Sequence, residues 1–126
     1  MEVRHLVSEE EGLYRRSYLP EKKYMNPDGT ATSRVFKLRA NKNETELSVD
    51  VKSMITAEKS VGDKSKFFLF ELPNKAVLEI TETKLLTYHD PLEDGSNDAH
   101  AVIVGMTMED EITPGLLARA SRKVSV

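Results

Sequence analysis

Residues 85–106 read LLTYHDPLEDGSNDAHAVIVGM, and no other stretch puts so much potential chemistry beside so much apolar sequence. An apolar run ends at a His-Asp pair, a polar loop with Gly-Ser-Asn turn chemistry follows, and a second apolar run starts near another histidine. This pattern predicts two strands, at 85–89 and 99–106, joined by the loop. Four residues flank the loop and form the first candidate site: His89, Asp90, Asp98 and His100.

The chain has 126 residues, of which 39% are hydrophobic and 31% are charged. These values are typical of one globular domain, here residues 1–126, that is long enough to bury a core. Cysteine is absent, which excludes disulfides, thiolate zinc sites and thiol nucleophiles. The sequence shows neither a run near the roughly 20 apolar residues of a membrane span nor a secretory signal. We therefore expect no membrane contact, and the absence of cysteine is compatible with a reducing cytoplasm.

Charge is unevenly distributed along the chain. The formal net charge is -3, which argues against a nucleic-acid partner. Residues 1–42, however, carry nine Lys or Arg against six Asp or Glu. The basic residues of this part, with three tyrosines nearby, could face phosphates, although solvated outer faces of ordinary elements are the simpler interpretation. They are Arg15, Arg16, Lys22, Lys23, Arg34, Lys37 and Arg39, and the tyrosines are Tyr14, Tyr18 and Tyr24.

Hydrophobic periodicity predicts the remaining elements. Residues 45–51 alternate so that Leu47, Val49 and Val51 face inward, as in a half-buried antiparallel strand. The run at 66–72 is apolar on both faces, which is typical of a strand inside a sheet. Further strands are predicted at 2–7, 13–18, 33–39 and 76–80. The predicted core of the central strands is Phe68, Phe70, Leu72, Val102 and Val104.

Two short helices are predicted from their capping residues. Thr56 is an N-cap residue for a helix that ends near Gly62. Thr113 and Pro114 begin the C-terminal helix, with Thr113 as N-cap and Pro114 at the first helical position. The sequence thus predicts an α+β fold. One mostly antiparallel or mixed sheet of five to seven strands carries two short helices, and the C-terminal helix packs on the sheet.

A succession of short motifs resembles a family of small uncharacterised, or hypothetical, bacterial proteins. The resemblance covers residues 13–121, and its most specific part is the HDPL…N-x-AHA segment. It implies a bacterial cytoplasmic protein and brings no established activity. The motifs, in chain order, are LYRRSYLP, SRVFKL, ELSVDV, TAEKS, HDPLEDGSNDAHAVIVG and LLARAS.

The residues around the loop at 90–98 allow two interpretations. If His89 lies opposite His100 in paired strands, their Cβ atoms would be about 5 Å apart. Together with Asp90 and Asp98 they could then bind zinc, manganese or iron. The alternative is loop capping, with Asp90 and Asn97 binding turn amides and His100 hydrogen-bonded under the loop. The sequence matches no established ligand spacing, so we predict loop capping and no metal.

A second candidate site is similar to that of ADP-ribosyltransferases. That class uses an arginine on an early strand, a serine-threonine-serine strand and a late Glu-x-Glu. This chain has Arg15 or Arg16, then Thr32-Ser33, then Glu109-Asp110-Glu111, in that order. The arginine would hold a dinucleotide phosphate and a glutamate would stabilise the reacting ribose. The serine motif is incomplete, and the acidic residues also suit a polar turn before the helix.

The sequence favours a binding module over an enzyme. Neither a nucleophile elbow nor a Walker or dinucleotide-binding glycine loop is present. We predict a module that binds a protein or a small molecule. The alternative is an enzyme, either metal-dependent through His89 and His100 or ADP-ribosyltransferase-like through Arg15 or Arg16 with Glu109 or Glu111. The sequence names no cofactor, substrate or partner.

Overall fold

A seven-stranded antiparallel sheet forms the frame of the protein, in a computed structural model that describes residues 4–81 and 83–126. The strand order is β1-β5-β6-β3-β2-β4-β7, and all neighbours are antiparallel. The α+β prediction is therefore confirmed. The strands are β1 His5–Leu6, β2 Gly12–Tyr18, β3 Leu47–Val51, β4 Phe67–Pro73, β5 Leu86–His89, β6 His100–Val104 and β7 Arg122–Val124.

The helices are short and lie on both faces of the sheet. The α-helices are α1 Glu21–Tyr24, α2 Ala57–Val61, α3 Asn74–Leu78 and α4 Thr113–Arg119. Three single turns of 3-10 helix lie at Ser33–Phe36, Ala40–Lys42 and Lys52–Met54. Thr56 caps α2 as predicted, because its hydroxyl accepts a hydrogen bond from the Lys59 amide. In the part of the chain described, no helix combines the length and the apolar character needed to cross a membrane.

The core is divided between the two faces of the sheet. The larger cluster joins one face of β2, β3, β4 and β6 to buried residues of the 33–36 turn, α3 and α4. Leu117 and Ala118 of α4 belong to it, so the C-terminal helix packs on the sheet as expected. The smaller cluster lies on the other face, where Tyr14 and Leu69 pack with Val61 of α2.

Strand β4 has neighbours on both sides and apolar residues on both faces. Phe68, Phe70 and Leu72 belong to the larger cluster, while Leu69 belongs to the smaller one. This is the arrangement that the apolar run predicted, because residues two apart share a face. Val102 of β6 is also buried, whereas Val104 is half-buried.

Two of the predicted strands are wrong. Residues 33–36 form a 3-10 turn in which the neighbours Val35 and Phe36 are both buried, which an alternating strand does not allow. Residues 76–80 fall largely in α3, where the buried residues Asn74 and Val77 are three apart. Asn74 fixes this helix because its side chain donates to the carbonyls of residues 7 and 8 and accepts from Thr87.

Other boundaries differ from the prediction at the chain ends. The predicted first strand at 2–7 is reduced to His5–Leu6 within the described residues, and residues 2 and 3 lie outside them. Thr113 is not the N-cap of α4 but its first residue. Strand β7 was not predicted, since the chain turns at the fully buried Ser121. The Ser121 hydroxyl donates to the Ala118 carbonyl and accepts from the Ala31 amide.

Gly105 should be the glycine least tolerant of substitution. Its φ is +111°, and a Cβ there would lie 2.5 Å from the backbone oxygen of Lys84. We expect Gly105→Ala to lower the free energy of unfolding by about 2 kcal/mol or more, measured by urea denaturation. Gly115 of α4 is the control, because a Cβ there meets nothing within 4 Å. Gly115→Ala should raise stability by about 0.5 kcal/mol. Equal effects of the two substitutions would contradict this account.

Candidate functional site

The sheet opens between its two central strands, β2 and β3. These strands pair at only two positions, Leu13 with Val51 and Tyr14 with Asp50. On its other side β2 pairs with β4 at seven positions. Strand β3 continues back to Leu47, but beyond Asp50 its pairing is with β6 alone. The later part of β2 and the earlier part of β3 therefore form the two walls of a gap in the sheet.

Arg15 spans this gap. Its Nε donates to the backbone carbonyl of Val35 at 2.9 Å, and its Nη1 donates to the carbonyl of Ser48 at 2.8 Å. The second of these bonds satisfies a β3 carbonyl beyond the point where the β2–β3 ladder ends. A side chain thus takes over part of the hydrogen bonding that a neighbouring strand usually provides.

The charge of Arg15 has no carboxylate partner among the described residues. Glu44 lies near enough to favour the charged form, but its carboxylate is bound by the amide and guanidinium of Arg39. Burial, and then the charges of Arg39 and Arg16, lower the pKa of Arg15 to about 10. The unfolded chain binds this proton more tightly, so the charged Arg15 costs stability at every pH below that value.

A groove of about 880 Å³ occupies the gap and its surroundings. Its lining includes Arg15 and Val49 from one face of the sheet and Arg16 and Asp50 from the other. The lining residues thus come from both faces of the sheet, at the place where the β2–β3 ladder has ended. The volume lies within the range of small-molecule binding sites.

The groove is strongly basic in a chain of net charge -3. Seven Lys or Arg line it, against one carboxylate, that of Asp50. Arg39 is ion-paired with Glu44 at 3.0 Å, whereas Arg34, Lys37 and Lys59 form no ion pair within the part of the chain described. Six of the seven basic residues singled out in the first part of the sequence therefore line one groove, with Lys22 outside it, and Lys59 joins them. The seven that line the groove are Arg15, Arg16, Lys23, Arg34, Lys37, Arg39 and Lys59.

Ser17 adds an unsatisfied donor to the same groove. It lies two residues after Arg15 on the same face of β2 and is 4% exposed. Its hydroxyl has no hydrogen-bond partner in residues 4–81 and 83–126, yet Ser17 lines the groove. Buried hydroxyl groups are normally hydrogen-bonded, so one without a protein partner beside a groove is available to a water molecule or a ligand atom.

Aromatic rings form one part of the groove wall. Tyr18 and Phe67 face each other across β2 and β4 with ring centroids 5.1 Å apart. The guanidinium of Arg16 lies 4.3 Å from the Phe67 centroid, and Arg39 donates to the Tyr18 hydroxyl at 3.1 Å. Tyr18 is 45% exposed, so its ring is accessible from the groove.

The opposite wall is polar and contains Asp50, the one carboxylate that the described residues contribute to the lining. Asp50 accepts hydrogen bonds from the Ser60 hydroxyl at 2.6 Å and the Asn97 side chain at 2.8 Å. His100 lies directly across the β3–β6 ladder from Asp50 and also lines the groove. This wall offers hydrogen-bond acceptors, whereas the β2 wall offers cations and rings.

The histidine loop does not have the register that a shared metal ion would need. His89 pairs with Ala101, not with His100. Neighbouring strand residues point to opposite faces, so His89 and His100 lie on opposite faces of the sheet. The assumption that the two imidazoles share a face is therefore wrong. In the described ranges, no three His, Asp or Glu side chains are arranged to hold a metal ion.

Both histidines bind the backbone of their own loop. His89 Nε2 lies 2.7 Å from the Asp98 carbonyl, and His100 Nδ1 lies 2.8 Å from the Asp90 carbonyl. Asn97 accepts from the Ala99 amide. The Asp90 carboxylate lies 3.8 Å from both His100 and Arg4, and it binds no turn amide in the residues that the structure describes. This geometry is that of loop fixation, and it leaves His100 Nε2 without a hydrogen bond among the described residues.

The late glutamates are not brought to the arginines. Glu109 and Glu111 are exposed in the loop before α4, and neither lines the groove that contains Arg15 and Arg16. Asp110, between them, accepts from the amides of Ile112 and Thr113 at the start of the helix. The Thr113 hydroxyl, and then its amide, hold the pKa of Asp110 below its ordinary value.

Among the groove residues that sequence reasoning missed are Ser17, Asp50 and Lys59. Asp50 alternates with the inward residues Val49 and Val51, which places it on the other face of the strand, but the sequence gave no sign that Ser60 and Asn97 would bind it. Ser17 gave no signal at all, because an unpaired buried hydroxyl is defined by its surroundings.

Comparisons with known proteins do not identify the chain. Scans of protein-family models, curated proteins and solved structures each gave no match.

The unpaired hydroxyl of Ser17 should cost stability in the ligand-free protein. We expect Ser17→Ala to raise the free energy of unfolding by about 1 kcal/mol, measured by urea denaturation, because the substitution removes a buried polar group without a partner. Thr32→Val is the matched control, since the Thr32 hydroxyl is also buried without a partner but lies outside the groove lining. It should raise stability similarly. Destabilisation by Ser17→Ala would mean that its hydroxyl has a partner.

Proposed function

We propose that the protein is a binding module for a small anionic ligand, which it holds in the groove between β2 and β3. The observation that carries the proposal is Arg15, a guanidinium at the gap in the sheet that binds two backbone carbonyls and, among the described residues, is hydrogen-bonded to no carboxylate. A buried charge of this kind is costly unless it is paired. A bound anion would supply the missing partner.

The surroundings of Arg15 support an anion over a neutral ligand. Arg34 and Lys37 are exposed and without ion pairs in the described ranges, so their charges add to the field of the groove. Clefts lined by one sign of charge concentrate ions of the opposite sign and speed their association. Ser17 supplies a short-range donor that a phosphate or carboxylate oxygen can use.

A binding role fits these groups better than either enzymatic alternative. A metal-dependent site would need His89 and His100 on one face, and they lie on opposite faces. An ADP-ribosyltransferase-like site would need a glutamate opposite the arginine, and the described lining of the groove contains none. The bacterial cytoplasm as the setting rests on the motif resemblance and stays a prediction, as does any protein partner.

Pyrophosphate is a suitable probe of the proposed site. Titration calorimetry should show saturable binding that weakens as salt is added, since screening reduces the attraction between exposed charges. At pyrophosphate near 100 times Kd, the bound anion should add about 3 kcal/mol to stability and raise Tm. The double substitution Arg34→Glu, Lys37→Glu should weaken binding by about ten-fold or more, because it reverses the charge of two lining residues.

The control reverses two charges elsewhere. Lys64 and Lys84 are exposed and lie outside the groove lining. Lys64→Glu with Lys84→Glu changes the net charge by the same amount, and it should leave pyrophosphate affinity within about two-fold. Equal losses in the two double variants would assign the binding to net charge and would overturn the proposed site. Absence of pyrophosphate binding by the wild-type protein would overturn it as well.

A further inference from the structure

We infer that the ligand of the groove is a mononucleotide, meaning a nucleoside carrying a phosphate group. This inference rests on the proposed function and deepens it by assigning each part of the ligand to a part of the groove. Three features carry it: donors on one face of the sheet at the gap, an accessible aromatic ring on the other face, and a carboxylate on the same face as the ring across the gap. The ligand would therefore pass through the gap, with its phosphate on the side of Arg15 and its base on the side of Tyr18.

The phosphate position lies between Arg15 and Ser17. The guanidinium of Arg15 uses Nε and Nη1 for backbone carbonyls, and its Nη2 donates to no group within residues 4–81 and 83–126. Ser17 follows on the same face with its unpaired hydroxyl. Charge-assisted hydrogen bonds from a guanidinium to phosphate are among the strongest in proteins. These two donors lie two residues apart on one face of β2, and both residues line the groove.

The base position is the ring of Tyr18. This ring is 45% exposed on its side of the groove and is backed by Phe67, with Arg16 on the Phe67 ring. The bond from Arg39 to the Tyr18 hydroxyl holds the ring in place. Exposed, fixed aromatic rings beside cations are the usual stacking platforms for nucleobases. A purely inorganic anion would make no use of such a ring.

The carboxylate of Asp50 disfavours a ligand that carries anionic groups at both ends. Its carboxylate has about four acceptor positions, of which Ser60 and Asn97 use two. It therefore repels a second anionic group on the β3 wall but can accept hydrogen bonds from hydroxyl or amino groups. The ribose hydroxyls and the base amino groups of a nucleotide are such donors. A ligand with its charge at one end and donors at the other satisfies both walls.

The extent of the groove favours one nucleotide over a strand. Its volume of about 880 Å³ lies within the range of small-molecule sites. Outside the groove the chain is acidic, because seven of its eighteen Lys or Arg line the groove while the net charge is -3. A continuous basic track for further phosphates is the feature that strand binders share.

The test compares adenosine monophosphate with ribose 5-phosphate, which has the same phosphate and sugar but lacks the base. Titration calorimetry of the wild-type protein should give an affinity for adenosine monophosphate about ten-fold higher or more, from stacking on Tyr18. Tyr18→Ala should remove this preference and leave the ribose 5-phosphate affinity within about two-fold. Tyr18→Phe keeps the ring and should keep the preference.

A second variant tests the contribution of the β3 wall to binding separately from that of the β2 wall. Asp50→Asn removes the negative charge and weakens the acceptor, so the affinity for adenosine monophosphate should fall by about five-fold. The affinity for pyrophosphate should stay constant or rise, because the repulsion from Asp50 is gone. A substitution that merely damaged the fold would lower the affinities for both ligands.

The outcomes distinguish this inference from the proposed function. Pyrophosphate binding with equal affinities for adenosine monophosphate and ribose 5-phosphate would overturn the nucleotide assignment and leave the anion site standing. If neither pyrophosphate nor adenosine monophosphate binds, both the nucleotide assignment and the proposed anion site are overturned. A single-stranded oligonucleotide that binds more than about ten-fold tighter than adenosine monophosphate would replace the mononucleotide by a nucleic-acid strand.

Discussion

The two hydrogen bonds from Arg15 to backbone carbonyls are the interaction on which the site depends. They join β2 to Val35 on one side and to Ser48 on the other, at the point where the β2–β3 ladder ends. A sheet that stayed closed there would have no groove, and a gap without Arg15 would leave the Ser48 carbonyl without this donor. The same side chain therefore holds the gap and supplies its central charge, at a cost in stability that an anion would offset.

The topology explains why two kinds of chemistry meet in this groove. Strands β2 and β4 place a cation and two aromatic rings on the β2 wall of the groove, because Arg16, Tyr18 and Phe67 project from the same face of the sheet. Strands β3 and β6 bring Asp50 and His100 to the same face across the gap. Each pair is internally well ordered by its own ladder. The walls can thus be rigid while the space between them remains open.

The fold was predictable from the sequence where residues close together in the chain determine the local structure. The site was not predictable in this way. Alternation at Leu47, Val49 and Val51 and the capping hydroxyl of Thr56 were sufficient for a strand and a helix. The segment at 33–39 alternates too, but burial of both Val35 and Phe36 against the core imposes a turn. The basic residues were visible in the sequence, whereas the fact that they line one groove was not. It depends on contacts of Arg15 with residues 20 and 33 positions away.

Nuclear magnetic resonance of the arginine Nε–H groups tests the central role of Arg15 most directly. The Nε–H of Arg15 donates to the Val35 carbonyl, so its exchange with water should be slow in the free protein, unlike that of the exposed Arg34. Addition of pyrophosphate should shift the Arg15 signal saturably, with the same Kd that calorimetry gives. An Arg15 Nε–H that exchanges as fast as that of Arg34 and does not respond to pyrophosphate would contradict the account.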